Sequence, residues 1–563
     1  MWLRAAVWVV VCWVIVFWKI NDPALMDPDE AHYAQLTHEM LRAGNWMIPL
    51  LDGLPFIDKP ALFHWLQGLA IAVLGETEGA MRLPSALSAV SLFWLTRWTG
   101  VQLFDAKVGD RAWLMLATLP MTFLLSSLGV FDMVFTLFLF GSIATALVAA
   151  LRGRPRLQYV SCVLLSLAVM TKGPVALALA GLMFVVGLAC GREVRGALLS
   201  LRWKTCAVLT VLLSLPWFVW MYGALGYEFI YRYALAGNLY YVTQPQSFSS
   251  RGVNHTLYVS TLLAGFFPWS LLMLGGAVDA VRRWRAAEKF TPQEILCWAW
   301  IGVVFVFFSV ARFKVDRYLY PAAPACCLLA ARAWLSFSVP NVDLAALRAS
   351  AGARWAVGAL GAILLVLGVV GSVTVFDLGL ELPRSAAIVP ASFAVGGLLV
   401  GYTLLKLRAV STPLFAAVLT VLLVVYSGVV VVGLPVLEKT RPTAALGGEL
   451  RARLGEADRV GLYRVDKWRF SLRYYIGRPL SHLENAEDVR AFFSQPGTEY
   501  VLMQMEDYER LRAEGIDLEC VSERPAVVGT TGRGLRKQRW GTLLVATLPG
   551  RGPQTIAGLT GAP

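Results

Sequence analysis

The chain has 563 residues, of which 57% are hydrophobic and only 15% charged, and its mean hydropathy is +0.61. Soluble domains carry about a quarter charged residues, so the composition excludes an ordinary soluble protein and points to a membrane protein. The formal net charge of +13 is spread between apolar runs rather than gathered on one basic domain, which is the pattern of orientation charge and argues against a nucleic-acid partner.

The first apolar run, residues 2–20, lacks a small-residue cleavage site and is read as an uncleaved first span. Hydropathy and length predict about thirteen spans in all. Their approximate limits are 3–20, 82–103, 109–127, 131–151, 158–171, 173–190, 205–223, 256–278, 293–311, 317–336, 355–376, 386–405 and 411–434. Basic residues alternate between the loops. Arg97, Lys107 and Arg111 are followed on the same side by Arg152, Arg154 and Arg156, then by Arg192, Arg195, Arg202 and Lys204, then by Arg282, Arg283, Arg285 and Lys289. Arg348, Arg354, Lys406 and Arg408 continue the series. These loops are expected in the cytoplasm, which places the N-terminus inside and, after an odd number of spans, the tail outside. No internal repeat is visible, which counts against transporters built from repeated halves. The expected division is a membrane domain over 1–435 and a soluble α/β domain over 436–563. In the tail, strands are expected at 460–464, 500–505 and 542–548, and helices at 470–476 and 486–494.

Two outer loops are long, 21–81 and 224–255. The first opens with Asp27-Pro28-Asp29-Glu30. Asp27 is suited to cap a helix, Pro28 to its first position and Glu30 to close a capping box, and the following stripe of Tyr33, Leu36, Met40 and Leu41 suits a helix on the membrane surface. That leaves Asp29 free as a candidate base or metal ligand. Further along the same loop, Lys59 in Phe56-Ile57-Asp58-Lys59-Pro60 is placed to meet a lipid phosphate, either in bulk lipid or in one bound molecule. Other cations break the orientation rule by lying outside: Lys172 in Thr171-Lys172-Gly173-Pro174, and Arg312, Lys314 and Arg317 before Tyr318. An anionic ligand at the outer surface would account for them, as would lipid headgroups. Asp132 begins the fourth span, where a helix cap is its plain role.

Seven cysteines, Cys12, Cys162, Cys190, Cys206, Cys297, Cys326 and Cys327, lie in or beside apolar runs, and Cys520 stands alone in the tail. No pair has metal-ligand spacing, and buried small hydrophobes describe them best.

The run from Met26 to Gly75 resembles the first outer loop of the bacterial aminoarabinose transferases, which group with the protein O-mannosyltransferase-like, polyprenyl-phosphate-dependent glycosyltransferases of the GT-C superfamily. The segments MRLPSAL, MTKGPVALAL, GFFPWSLL and FKVDRYLYPAAP follow in the same order, and the likeness covers roughly residues 1–335. The resemblance implies a polytopic α-helical fold of about thirteen spans with a periplasmic α/β tail. It implies transfer of 4-amino-4-deoxy-L-arabinose from undecaprenyl phosphate to lipid A at the outer face of the inner membrane; attack from the face opposite the leaving phosphate would invert the anomeric carbon, and a monomer is expected. Asp29 is then the acid at the reaction centre, with Glu30 beside it and Asp132 facing the same cavity. Lys59 is the carrier-phosphate lysine, and Lys172, Arg317 and Tyr318 hold the same phosphate. Arg312 and Lys314 belong to the same cationic segment, and Arg82 and His255 lie in similar segments. Some members of the superfamily bind a divalent metal beside the acid–lysine motif; here the ligands of Zn or Mg would be Asp58 and His255. The alternatives are the same chemistry on another glycan or a protein, and a flippase or transporter of a lipid-linked sugar. A transporter would carry its ionisable groups in mid-span, whereas these acids lie in outer loops.

Overall fold

The computed structural model describes residues 2–240, 256–336, 351–374, 384–407, 412–465, 469–495, 497, 499–530 and 538–550. Helices occupy the segments expected to be apolar spans. Among the described residues, five helices are long and apolar enough to cross a membrane: Phe131–Leu151, Trp203–Leu225, Pro292–Val310, Ala351–Val373 and Thr412–Lys439. A sixth is obtained if Leu257–Gly265 and Trp269–Arg285 count as one span.

Two expected spans are broken, each at a proline. Residues 109–127 divide into Ala106–Ala117 and Pro120–Leu125. Residues 256–278 divide into a pair bent by 110° where Pro268 precedes Trp269. Proline has no N–H to donate and crowds the preceding turn, so a helix stops before it. Elsewhere the helix starts follow local rules. Asp105 accepts from the backbone N–H of Lys107 and Val108 at 2.7 and 2.9 Å, and Thr291 with Glu294 forms a capping box. The helices Glu78–Leu103 and Ala106–Ala117 approach closely at Gly100 and Gly109; a Cβ on Gly100 would stand 2.6 Å from the Gly109 Cα. Small residues at a crossing allow such backbone contact where lipid supplies no hydrophobic drive.

From Thr443 onward the chain forms an α/β unit. Its five strands are ordered Leu480–Leu483, Arg459–Tyr463, Glu499–Gln504, Gln538–Thr547, Glu519–Thr530. The first three pair in parallel, Val460 opposite both Leu480 and Tyr500, and the last two add antiparallel. The inner parallel strands Arg459–Tyr463 and Glu499–Gln504 are buried on both faces, as helix crossovers require, whereas the edge strand Leu480–Leu483 exposes Ser481 and His482. Leu446, Leu450, Leu472 and Ile476 cover one face, and Val489, Phe492, Phe493 and Leu511 the other. The sequence reading did not include the strands Leu480–Leu483 and Glu519–Thr530, nor the helices Thr443–Arg453 and Met505–Ala513.

This unit sits on the loop 21–81, and the contact revises two expectations. Asp27 does not cap its own helix, which runs from Asp29 to Arg42 with no side-chain cap. Its carboxylate accepts instead from the backbone N–H of Ser471 at 2.8 Å and from the Ser471 hydroxyl, at the start of the tail helix Phe470–Ile476. Arg473 of that helix donates to Glu39 at 2.8 Å, and the Tyr475 hydroxyl accepts from Leu25 N at 2.8 Å and donates to Glu78 at 2.9 Å. The helix Asp29–Arg42 is therefore covered by the tail as well as by Leu62–Leu74, and is not an open surface helix.

Candidate active site

Four side chains from four separate segments join in a line of alternating charge. Arg317, in the 3-10 turn Asp316–Ala322, donates from Nη2 to Asp29 Oδ2 at 2.7 Å. Its Nε lies 2.8 Å from Asp132 Oδ2. Asp132 Oδ1 accepts from Lys172 Nζ at 2.7 Å. The Lys172 ammonium also faces the rings of Tyr318 at 4.0 Å and of Phe131 and Phe135, each at 5.2 Å. Charges removed from water need partners, and here each has one. Exposure rises along the line: the Asp132 side chain is 3% exposed and that of Asp29 39%. The inner pair holds Arg317 in position, and Asp29 is the end that a ligand from outside can meet.

Asp58 and Lys59 come from the loop that follows the short hairpin Leu50–Leu51/Leu54–Pro55. Lys59 Nζ donates to Asp58 Oδ1 at 2.8 Å and to the Asp58 carbonyl at 3.1 Å, and it repels Lys172 electrostatically. The two lysines thus share one region. A metal here is not supported by the donors described. The Asp58 carboxylate is taken by Lys59, and among the described residues no group of three His, Cys, Asp or Glu stands close enough to hold an ion. His255 lies outside the described residues.

Other expected site residues have different occupations. Glu30 is buried and saturated: its carboxylate accepts from Arg82 Nε at 2.7 Å and Nη2 at 3.1 Å, from Gly129 N at 2.8 Å and from Met26 N at 2.8 Å. Arg82 is committed to this pair and to the Ile20 carbonyl at 3.2 Å, so neither residue has a group to offer a ligand. They join the loop 21–81 to the start of its following helix. Lys314 is drawn to the C-terminal end of Pro292–Val310, donating to the carbonyls of Phe308 at 3.4 Å, Ala311 at 2.6 Å and Ser309. A cation there satisfies carbonyls left without intrahelical partners. Arg312 is exposed at the surface.

Two residues of the site were missed in the sequence. Tyr33, read as part of an apolar stripe, has its hydroxyl in electrostatic reach of Asp29, Arg317, Asp58 and Asp132. Burial, with the three carboxylates, pushes this phenol well above its usual pKa, so it stays neutral. His32 stacks on Phe470 of the tail at 4.4 Å and meets Phe56 edge-on at 4.7 Å. The available signal was spacing: positions three and four residues after Asp29 lie on its face of the helix.

This geometry separates the lysines. Lys59→Ala should weaken binding of a polyprenyl phosphate by about tenfold or more, because a charge-assisted bond to phosphate is lost. Lys314→Ala should leave it unchanged. Isothermal titration in detergent measures both; equal losses would place Lys314 in the phosphate site after all.

Comparison with known proteins agrees with the resemblance. The family of dolichyl-phosphate-mannose-protein mannosyltransferases matches residues 58–220. An undecaprenyl phosphate-alpha-4-amino-4-deoxy-L-arabinose arabinosyl transferase of Pectobacterium carotovorum is 28% identical over 388 residues, 65% of this chain and 66% of that protein. One from Sodalis glossinidius is 31% identical over 320 residues, 54% of each. The chain thus matches less than two thirds of these relatives' length. The crystal structure of ArnT from Cupriavidus metallidurans bound to undecaprenyl phosphate superposes with a TM-score of 0.73 at 20% identity, covering 98% of this chain and 99% of that one. The chain therefore shares the fold of ArnT over nearly its whole length and is similar in sequence to the aminoarabinose transferases over 54% to 65% of it.

Proposed function

We propose that the protein is an inverting glycosyltransferase that moves 4-amino-4-deoxy-L-arabinose from undecaprenyl phosphate to a phosphate of lipid A. The observation that carries this reading is Arg317, bridging half-exposed Asp29 and buried Asp132 beside Lys172. The homologues' names supply the donor and the sugar.

In the donor, the carrier phosphate is a diester with one negative charge. When the bond from the anomeric carbon to the phosphate oxygen breaks, the carrier leaves as a monoester and gains a second charge. Cations held in place before reaction stabilise that charge without reorganising. Lys59 and Arg317 take this role, and the Tyr318 ring beside Lys172 helps shape the pocket. Lys172 acts through Asp132, which orients Arg317. The acceptor phosphate oxygen attacks from the opposite face, forming the new bond to the anomeric carbon and inverting it. Such an oxygen needs little activation, so Asp29 positions it and takes its proton when the phosphate arrives protonated. We assign residues 1–435 to a membrane domain of about thirteen spans and 436–563 to a soluble domain on the same, periplasmic side as the site, in a protein that works as a monomer.

The test is expression in a host that makes the donor but lacks its own transferase. Lipid A should gain an aminopentose on phosphate by mass spectrometry, and polymyxin resistance should return as the outer surface loses negative charge. Unmodified lipid A despite folded protein and available donor would move the acceptor to a glycan or protein. Alkaline phosphatase fused after Leu434 should be active; an inactive fusion, with a cytoplasmic reporter active at the same point, would overturn the topology.

A further inference from the structure

His32 lies one turn beyond Asp29 on the same helix, in electrostatic reach of both Asp29 and Asp58. Its Nε2 is buried and has no hydrogen-bond partner. A buried polar atom left unsatisfied is costly, and beside a reaction centre it marks a place for ligand. The ring is held from outside the membrane domain: Phe470 stacks on it with planes 15° apart, at the first residue of the tail helix, whose second residue, Ser471, binds Asp27. Two further contacts, Arg473 to Glu39 and Tyr475 to Leu25, fix that helix over the loop.

We propose that His32 hydrogen-bonds the transferred sugar through Nε2 and that the tail domain, through Phe470, completes the sugar subsite. This rests on the reading of the protein as a transferase from a polyprenyl-phosphate sugar. The imidazole suits a sugar better than a phosphate. Burial lowers its pKa to about 4, against the pull of Asp58 and Asp29, so at neutral pH it carries no charge for an anion. Neighbouring carboxylates favour a ligand that brings hydroxyl or amine donors. The remaining cations of the site, Lys59 and Arg317, are left to the phosphate.

Binding of two probes separates the roles: undecaprenyl phosphate with its aminopentose, and undecaprenyl phosphate alone. His32→Ala in the full chain should weaken the sugar-bearing probe by about fivefold to tenfold, the loss of one neutral hydrogen bond, and leave the bare carrier unchanged. His32→Gln, which keeps a polar end of similar reach, should recover part of the loss. Phe470→Leu, which keeps apolar bulk but not the stacked ring, should weaken the sugar-bearing probe alone, by a smaller factor. Unchanged binding of both probes to His32→Ala, or equal loss of both, would overturn the proposal. Transfer by the unsubstituted protein is the control for the underlying reading: its absence with donor and acceptor present would sink the transferase reading, whereas the two-probe comparison does not depend on turnover.

Discussion

Asp29→Asn should abolish sugar transfer while the protein remains folded. The substitution keeps size and shape and removes one charge. Asp29 is half-exposed, and Arg317 keeps its stronger attachment to buried Asp132, so the surface end of the line gives up little stability, about 1 kcal/mol or less. The effect on catalysis is of another order. A carboxylate that orients the acceptor and takes its proton contributes about 10²–10⁴-fold in rate, and an amide at the same place cannot accept a proton near neutral pH. The measurement is turnover of purified protein on synthetic donor, with a melting curve alongside. Turnover within a factor of a few of the parent would remove Asp29 from the reaction.

Breaking the Glu30–Arg82 pair should have a large effect of the opposite kind, on stability. Both side chains are out of contact with solvent, 1% and 0% exposed, and Glu30 also ties Met26 and Gly129. Removing one partner leaves the other charge buried without compensation, at about 3–5 kcal/mol. Arg82→Ala and Glu30→Ala should each lower the melting temperature in detergent substantially. The double variant Glu30→Gln with Arg82→Met should be less damaging than either, since no isolated charge remains. Glu30 adjoins Asp29 in the sequence and binds Arg82, so this result separates a structural pair from residues of the chemistry. Single variants that melt normally but lose transfer would return both to the chemistry.

The contrast between Asp29 and Glu30 shows where sequence reading stops. They are adjacent acids in one motif, Asp27-Pro28-Asp29-Glu30. On a helix, neighbours point about 100° apart. Glu30 turns inward to Arg82, and half-exposed Asp29 turns toward Arg317. Nothing local distinguishes a cation that bridges carboxylates from one that ends a helix, so Lys314 and Arg317, three residues apart, were expected in the same role. The structure sends Lys314 to helix carbonyls and Arg317 to two carboxylates.

Properties that add up along the chain were determined by the sequence alone. Apolar length marked the helical segments, and Lys172 and Arg317 stood out as cations that break the expected charge alternation; in the structure they share Asp132. Alternation and periodicity marked the helix Phe470–Ile476 and most of the tail strands. Prolines 120 and 268 were also legible, but averaging hydropathy across them hid the breaks they impose. Tertiary structure alone decided the pairings. Arg317 meets Asp29 across 288 residues, and Ser471 meets Asp27 across 444. Such contacts depend on how helices and the tail pack, a property of relative position that no local window of sequence contains. The same holds for Tyr33, which the helical stripe presents as an ordinary apolar residue, and for His32, which no pattern singles out, until Phe470 and the carboxylates are brought around them.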